Sequence, residues 1–344
     1  MPETPWWHPA LHADRRPLLL ARGRIQATLR GWLAEQGFTE VDPAALAISP
    51  GNEVHLHALA TSLTLPDGSD VPRYLHTSPE FAMKKLLAAG ETRIAAFAHV
   101  WRNAEDSPRH ATEFTMLEWY RAHEDYAVLM EDTATILRLA ARAAGAALLR
   151  HRAATCDPFL PVERLSVADA FARAGIDLLA SLAPDGTPDL PAMRAAALAK
   201  GLRIAADDTW SDLFARLLVA FVEPGLGHGR ITVLDRYPAT EAALARRCAD
   251  DPRVAERFEV YACGVELANG FGELTDPVEQ RARFQAEMDE KSRRYGIRYP
   301  LDEDFLAALA IMPQSSGIAL GFDRLVMLAT GAPRITDVQW TSAV

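Results

Sequence analysis

The stretch that most restricts how this 344-residue chain can fold lies between residues 94 and 121. Residues 94–103 and 113–121 are strand-like, and the polar segment 104–112 joins them. Their length and that loop predict an antiparallel hairpin. On the second strand Phe114, Met116, Glu118 and Tyr120 share a face, because strand side chains alternate with period two. An aromatic ring, a carboxylate and a phenol on one sheet face suit a pocket that reads a flat base and a cation. Taken alone, the same residues also describe a half-buried strand with one paired glutamate.

The surrounding pattern predicts the class of fold. A leader over residues 1–14 precedes a helix over 18–36, with apolar Leu19, Ile25, Leu29, Trp32 and Leu33 at helical spacing and Gly37 as its stop. A short strand at 38–42 ends at Pro43. Another at 73–77 leads into a helix through residue 89, with Ser78 as its cap and Pro79 in its first turn. Helix is expected over 128–150, and a helical insertion over 157–224 is punctuated at Pro184-Asp185-Gly186. Strands follow at 231–234, 255–262 and 265–271, the last two around a tight turn at Cys263-Gly264. A charged helix covers 280–295, and 317–331 reads as a strand running into an apolar helix. Strands in hairpin-linked runs among helices predict an α+β fold, one domain over 1–344 with an antiparallel sheet flanked by helices. The 49% hydrophobic content supports a sizeable core.

Composition narrows the partners. The 36 basic and 46 acidic residues give a net charge of −10, and a field of that sign opposes a polyphosphate partner such as tRNA. Cys156, Cys248 and Cys263 show neither disulfide-framework nor zinc spacing and suit a reducing compartment. No secretory signal and no membrane span is readable, so the expectation is a soluble cytoplasmic protein.

Two further segments carry chemistry. Glu259, Glu266 and Glu273 recur at intervals of seven. Odd spacing places strand neighbours on opposite faces, so a turn or bulge must intervene if they converge. Cys263-Gly264 can bring Glu259 and Glu266 together across a hairpin, and Gly270 and Gly272 permit a bulge before Glu273. Clustered carboxylates of this kind suit Mg²⁺; a solvated acidic edge has the same spacing. In Gly317-Ile318-Ala319-Leu320-Gly321-Phe322-Asp323-Arg324 the glycines allow close backbone approach, and Arg324 falls at a strand-to-helix junction where it can meet a phosphate. Packing is the ordinary meaning of Gly-x-x-x-Gly.

Taken in order, these segments resemble the class II aminoacyl-tRNA synthetases, and the lysyl branch in particular. Arg102 and its hairpin look like motif 2, Gly321-Phe322-Asp323-Arg324 like motif 3, and residues 38–43 after their helix like the weaker motif 1 of the family's dimer interface. Thr77-Ser78-Pro79-Glu80 with Met83-Lys84, and residues 113–120, match the lysyl branch. The likeness spans about residues 15–332. A lysyl-tRNA synthetase carries an N-terminal OB-fold that reads the anticodon, whereas here the core begins almost at Met1. That architecture is similar to the short lysyl paralogues that pass an adenylate of (R)-β-lysine to a lysine of elongation factor P.

The resemblance implies a ligase that uses ATP and Mg²⁺, acts as a homodimer and does not need tRNA. Arg102 would bridge the amino-acid carboxylate and the α-phosphate, with Arg324 the second catalytic arginine. Asn103, Glu105, His110, Phe114, Glu266, Leu267 and Gly321 would complete the ATP site, Phe114 stacking beneath adenine. Ser78, Pro79, Glu80, Glu118, Tyr120, Asn269 and Glu273 would hold the lysine, and Glu259 with Glu266 the metal. Three positions depart from the family pattern. Ala104 stands where motif 2 has Glu, with Glu105 next to it; Ala111-Thr112 replaces Asn-Pro; and Gly272 replaces a larger residue. Lysylation of elongation factor P, charging of a tRNA or tRNA-like acceptor, and a silent synthetase-like regulatory subunit are the readings this leaves, and α- and β-lysine are indistinguishable at this level.

Overall fold

The hairpin lies within an eight-stranded sheet. The computed structural model describes residues 5–342. The strands, in chain order, are β1 Thr39–Glu40, β2 Arg93–Trp101, β3 Glu113–Ala122, β4 Glu163–Ser166, β5 Thr232–Asp235, β6 Arg257–Ala262, β7 Val265–Gly272 and β8 Ser315–Gly321. Their spatial order is β1-β2-β3-β8-β7-β6-β5-β4. The central pairs are antiparallel, as expected, but β1 with β2 and β5 with β4 run parallel at the two edges. The sheet is therefore mixed, within an α+β fold.

One face of the sheet buries the main core. Leu117 and Trp119 of β3, Ile318 and Leu320 of β8, and Phe258 and Val260 of β6 point to it. They pack beneath α1 Pro9–Glu35, α3 Ala127–Ala144 and α9 Phe322–Thr330. In α1 the buried Leu19, Ile25, Leu29 and Leu33 form the stripe legible in the sequence. The helix starts at Pro9, inside the segment expected to be a leader, because buried Arg15 donates to the Thr336 carbonyl at 2.9 Å and ties the early turns to the C-terminal segment. Residues 1–4 of that leader lie outside the described residues. Helix α3 stops at Gly145, whose φ of 75° is the left-handed cap glycine favours. Residues 149 and 150, expected to be helical, belong to a strand, Leu149–His151, of a small separate sheet.

The opposite face carries α2 Glu80–Ala88, α7 Pro277–Tyr295 and α8 Glu303–Leu309 over one end. Met83, Leu87, Phe284 and Phe305 pack there against Ile94, Ala96 and Tyr120. The α2 N-cap is Pro79, not Ser78; the Ser78 hydroxyl instead accepts from the Glu80 N–H at 3.1 Å and donates elsewhere. The insertion supplies α4 Val167–Arg173, α5 Leu190–Ala199 and α6 Trp210–Leu217. Its first part differs from the expectation: Glu163–Ser166 is β4 of the main sheet, hydrogen-bonded to β5. Among the described residues no helix is long and apolar enough to cross a membrane, and Cys156, Cys248 and Cys263 are free and buried.

Candidate active site

Three small residues of β8 decide where a cavity can open. Gly317, Ala319 and Gly321 lie opposite Tyr120, Glu118 and Met116 of β3, on the face away from the main core. A Cβ at Gly317 would stand 2.2 Å from Tyr120 Cε1 and 2.4 Å from Glu273 Oε1. No side chain fits there, so the phenol and the carboxylate converge over bare backbone. The trough above this floor is lined by ten of the expected residues: Ser78, Glu80, Arg102, His110, Phe114, Glu266, Leu267, Asn269, Gly321 and Arg324.

Its two ends have opposite charge. At the hairpin end, Arg102 at the close of β2 lies with its guanidinium carbon 5.4 Å from the centroid of the Phe114 ring. Arg324, in the first turn of α9, donates to the backbone carbonyls of Glu266 at 3.1 Å and Arg109 at 3.3 Å. Its neighbour Asp323 is buried, pairs with Arg22 of α1 and accepts from Gln339 Nε2 at 2.8 Å and Thr115 N at 3.3 Å. The start of α9 is thereby fixed to α1 and β3, and Arg324 with it. His110 Nδ1 and the Ser107 hydroxyl are 2.6 Å apart. Burial, and then the charge of Arg324, hold the His110 pKa below its ordinary value, so the ring is neutral near pH 7.

Four residues along β3 from Phe114, roughly 13 Å of strand, the trough becomes acidic. Glu118 is buried and accepts from Tyr120 Oη at 2.6 Å and Ser78 Oγ at 2.7 Å. Burial, reinforced by the charge of Glu80, pushes its pKa up to about 8, against the two hydroxyls, which pull it down. Burial likewise raises Glu273. Lys84, absent from the expected site, enters this cluster from α2 and pairs with Glu80 Oε1 and, at 2.6 Å, with Glu273 Oε2.

The Cys263-Gly264 turn does bring Glu259 and Glu266 to one face. Both turn residues have positive φ, 56° and 68°, as a two-residue hairpin turn requires. The register shift lies at Val260/Tyr261, opposite Glu266, and not at Gly270 or Gly272 as expected. It places Glu266 on the same side as Asn269 and Phe271. Gly272 serves another purpose: a Cβ there would meet Glu256 Oε2 at 2.0 Å and Arg246 Nε at 3.1 Å, the pair that crosses over it. This accounts for the small residue at that position.

The two carboxylates differ in what they can still bind. Glu259 Oε1 accepts from Arg257 at 2.7 Å, and its Oε2 accepts from Tyr237 at 2.5 Å and Tyr261 at 2.6 Å. Among the described residues Glu266 finds no side-chain hydrogen-bond partner, its nearest cation there being Arg324 at 4.0 Å, and it faces the trough. Burial and the charge of Glu259 raise its pKa. An unengaged carboxylate, with a lone pair left on Glu259, fits a hard cation that takes one or two protein oxygens and fills its shell with water and phosphate. No cluster of three or more acidic, His or Cys ligands occurs among the described residues.

Some expected residues sit outside the lining. Pro79, Glu118, Tyr120, Glu259 and Glu273 form its supporting layer. Asn103 turns away: its N–H donates to the His57 carbonyl at 2.6 Å, and its Oδ1 accepts from Ala104 N at 2.9 Å, holding Ala104 at a φ of 62°. Glu105 is also absent from the lining and reaches the site only through its charge on His110 and Arg324. Sequence reasoning missed Glu53, Leu56, Arg109, Phe271 and Ile335, which line the trough from loops, a strand end and a short 3-10 helix. Arg109 and Phe271 fall inside segments already singled out, whereas Glu53, Leu56 and Ile335 lie outside the named motifs and carry no local signal.

The family model described as tRNA synthetases class II (D, K and N) matches residues 10–341. The chain is 38% identical over 341 residues to the elongation factor P–(R)-β-lysine ligase of Pectobacterium atrosepticum. It is 39% identical over 343 residues to the enzyme of that name from Enterobacter sp., and 38% to that of Salmonella typhi over the same length. Each alignment covers 98% of both chains.

Proposed function

Because the chain belongs to the class II tRNA synthetases of the D, K and N group, we propose that it is a ligase that activates (R)-β-lysine with ATP and transfers it to a lysine of elongation factor P. The observation that carries this reading is the two-ended trough, with arginines around an aromatic ring at one end and buried carboxylates around a phenol at the other. A nucleoside triphosphate and a diamino acid complement those two ends. The near full-length similarity to ligases of that name supplies the acceptor.

In this mechanism the amino-acid carboxylate attacks the α-phosphorus of ATP, and pyrophosphate leaves. Two anions approach each other, so cationic stabilisation of the developing charge dominates the catalysis. Arg102 donates two parallel hydrogen bonds, one toward the carboxylate and one toward the α-phosphate. Phe114 supports the adenine, and Arg324 covers its other side. Neutral His110 and Arg109 face the phosphates. Glu80 takes the amino group nearer the carboxylate; Glu118, Tyr120 and Glu273 surround the distal ammonium, with Asn269 beside it. Glu266, with Glu259 behind it, would hold Mg²⁺, which supplies charge neutralisation to the phosphates when bound. The acceptor amine then attacks the adenylate carbonyl and AMP leaves. A homodimer through α1 and β1 belongs to the same reading.

The test is amino-acid-dependent pyrophosphate exchange with (R)-β-lysine and α-lysine side by side, followed by incubation with elongation factor P, ATP and the better substrate. One lysyl mass added to the factor is the expected result. Exchange without that mass shift, together with charging of tRNA, would reassign the acceptor. Absence of exchange with either amino acid would sink the reading.

A further inference from the structure

Lys84 is 1% exposed, and its ammonium lies between Glu80 and Glu273, 2.6 Å from the latter, with the Phe305 ring centroid 6.0 Å away. The acidic end of the trough thus contains a butylammonium chain of the protein's own. Burial alone would favour the neutral amine, but Glu273 and then Glu80 hold it charged. Glu80 remains part of the trough lining, whereas Glu118 and Glu273 are each 1% exposed behind it.

The charges in this cluster do not suit a substrate unless Lys84 is counted. Glu80, Glu118 and Glu273 offer three negative charges, that of Glu53 on the same lining being opposed by Arg102, Arg257 and Lys291, and a diamino acid brings two ammonium groups. A third uncompensated carboxylate in a desolvated site is costly and is relieved by protonation or by a stray cation. Lys84 takes one charge permanently and leaves two. Its (i, i+4) bond to Glu80 and its bridge to Glu273 also link the first turn of α2 to the end of β7, so both carboxylates are held in one place.

We propose that Lys84 is a specificity-determining positioning residue: an internal cation that sets the charge of the amino-acid subsite to match a diamino monocarboxylic acid and fixes Glu80 and Glu273 to receive it. The inference rests on the lysine-activating reading above and deepens it. It requires that Lys84 and Glu273 be coupled through charge. Removing either partner mismatches the site, and removing both restores the count of two.

The experiment is a mutant cycle in lysine-dependent pyrophosphate exchange by the full-length enzyme, with K84M, E273Q and K84M/E273Q. Each single variant is expected to raise the KM for lysine by about tenfold or more while the KM for ATP moves less than about twofold. The double variant is expected to have a lower lysine KM than either single one. Independent contributions of the two residues give a double variant no better than the worse single one, and that result overturns the inference; a purely structural pair shows the same coupling in the melting temperature and moves the KM for ATP together with that for lysine, which overturns it too. An unchanged lysine KM in K84M overturns it as well. Should K84M not fold, E273Q and the double variant carry the comparison; a double variant that unfolds while E273Q stays folded assigns Lys84 to stability alone and overturns the proposal. Native enzyme without lysine-dependent exchange removes the underlying reading, and the inference with it. Native exchange with a failed cycle removes the inference only.

Discussion

At Glu118 a single buried carboxyl makes the empty site sensitive to pH. Its ordinary value is 4.5, and burial with the charge of Glu80 pushes it up to about 8, so near pH 7 the empty site holds it mostly protonated. Between those two values the folded chain binds a proton that the unfolded chain has released. The contribution of Glu118 to the stability of the free protein therefore declines as pH rises from about 4.5 to 8, and Glu118→Gln should remove that slope from a denaturation profile. An incoming ammonium favours the carboxylate and expels the proton. Lysine affinity should accordingly strengthen as pH rises toward 8, and calorimetry at pH 7 in two buffers of different ionisation enthalpy should register proton release. Uptake, or no exchange of protons, would contradict this. The placement of Glu118 and Tyr120 on the face of Phe114 was legible because strand alternation puts them there. That of Lys84 was not, since a lysine four residues after a glutamate on a helix ordinarily forms a solvated surface pair.

Helix α7 shows how one element shapes the site from outside it. Glu287, Lys291 and Tyr295 recur every four residues along it and all grip one loop. Glu287 accepts from Val54 N at 3.1 Å, and Tyr295 Oη lies 2.8 Å from His55 Nδ1. Lys291 is fully buried and donates to the carbonyls of Glu53, Val54 and Leu56 at 3.1, 2.8 and 2.6 Å. Burial lowers its pKa to about 8. The loop it pins carries Glu53 and Leu56 into the trough. Lys291→Met leaves three carbonyls without their donor and should cost about 2–4 kcal/mol, read as a lower melting temperature with faster proteolysis within residues 51–59. Strand β8 makes the complementary point. Gly317→Ala puts a methyl group against Tyr120 and Glu273, so lysine-dependent exchange should fall at least about tenfold while ATP still binds, as judged by nucleotide titration. A periodic charged helix and a glycine-bearing strand were both visible in the sequence. Which loop the helix grips, and which side chains the glycine admits, depended on partners more than 200 residues away in the chain for Lys291 and on a cross-strand neighbour for Gly317.

For the molecule as a whole, the helical insertion acquires a task. Its stacked Phe171, Trp210 and Phe214 belong to a cluster that also includes Leu234 of β5 and Tyr237 and Tyr261. Those two phenols hold Glu259, so the insertion supports the carboxylate behind Glu266 from the far side of the trough. Phe214 meets Tyr237 edge-on with centroids 6.5 Å apart. Phe214→Ala should destabilise the protein by about 3–5 kcal/mol and raise the Mg²⁺ concentration needed for half-maximal exchange, with the lysine KM little changed. Equal loss at every Mg²⁺ concentration would confine the insertion to stability.

Local order was what the amino-acid sequence determined by itself. Alternation on β3, the positive-φ turn at Cys263-Gly264, the stripe of α1 and the small residues of β8 all follow from contacts within a few residues, where side-chain period and backbone sterics decide. The tertiary structure alone decided the edges of the sheet, the bulge opposite Glu266, the fate of residues 149–151 and the presence of Lys84 among the carboxylates. Each depends on burial and pairing between distant segments, and a charge or a register has no preferred partner until packing removes the water that would otherwise satisfy it.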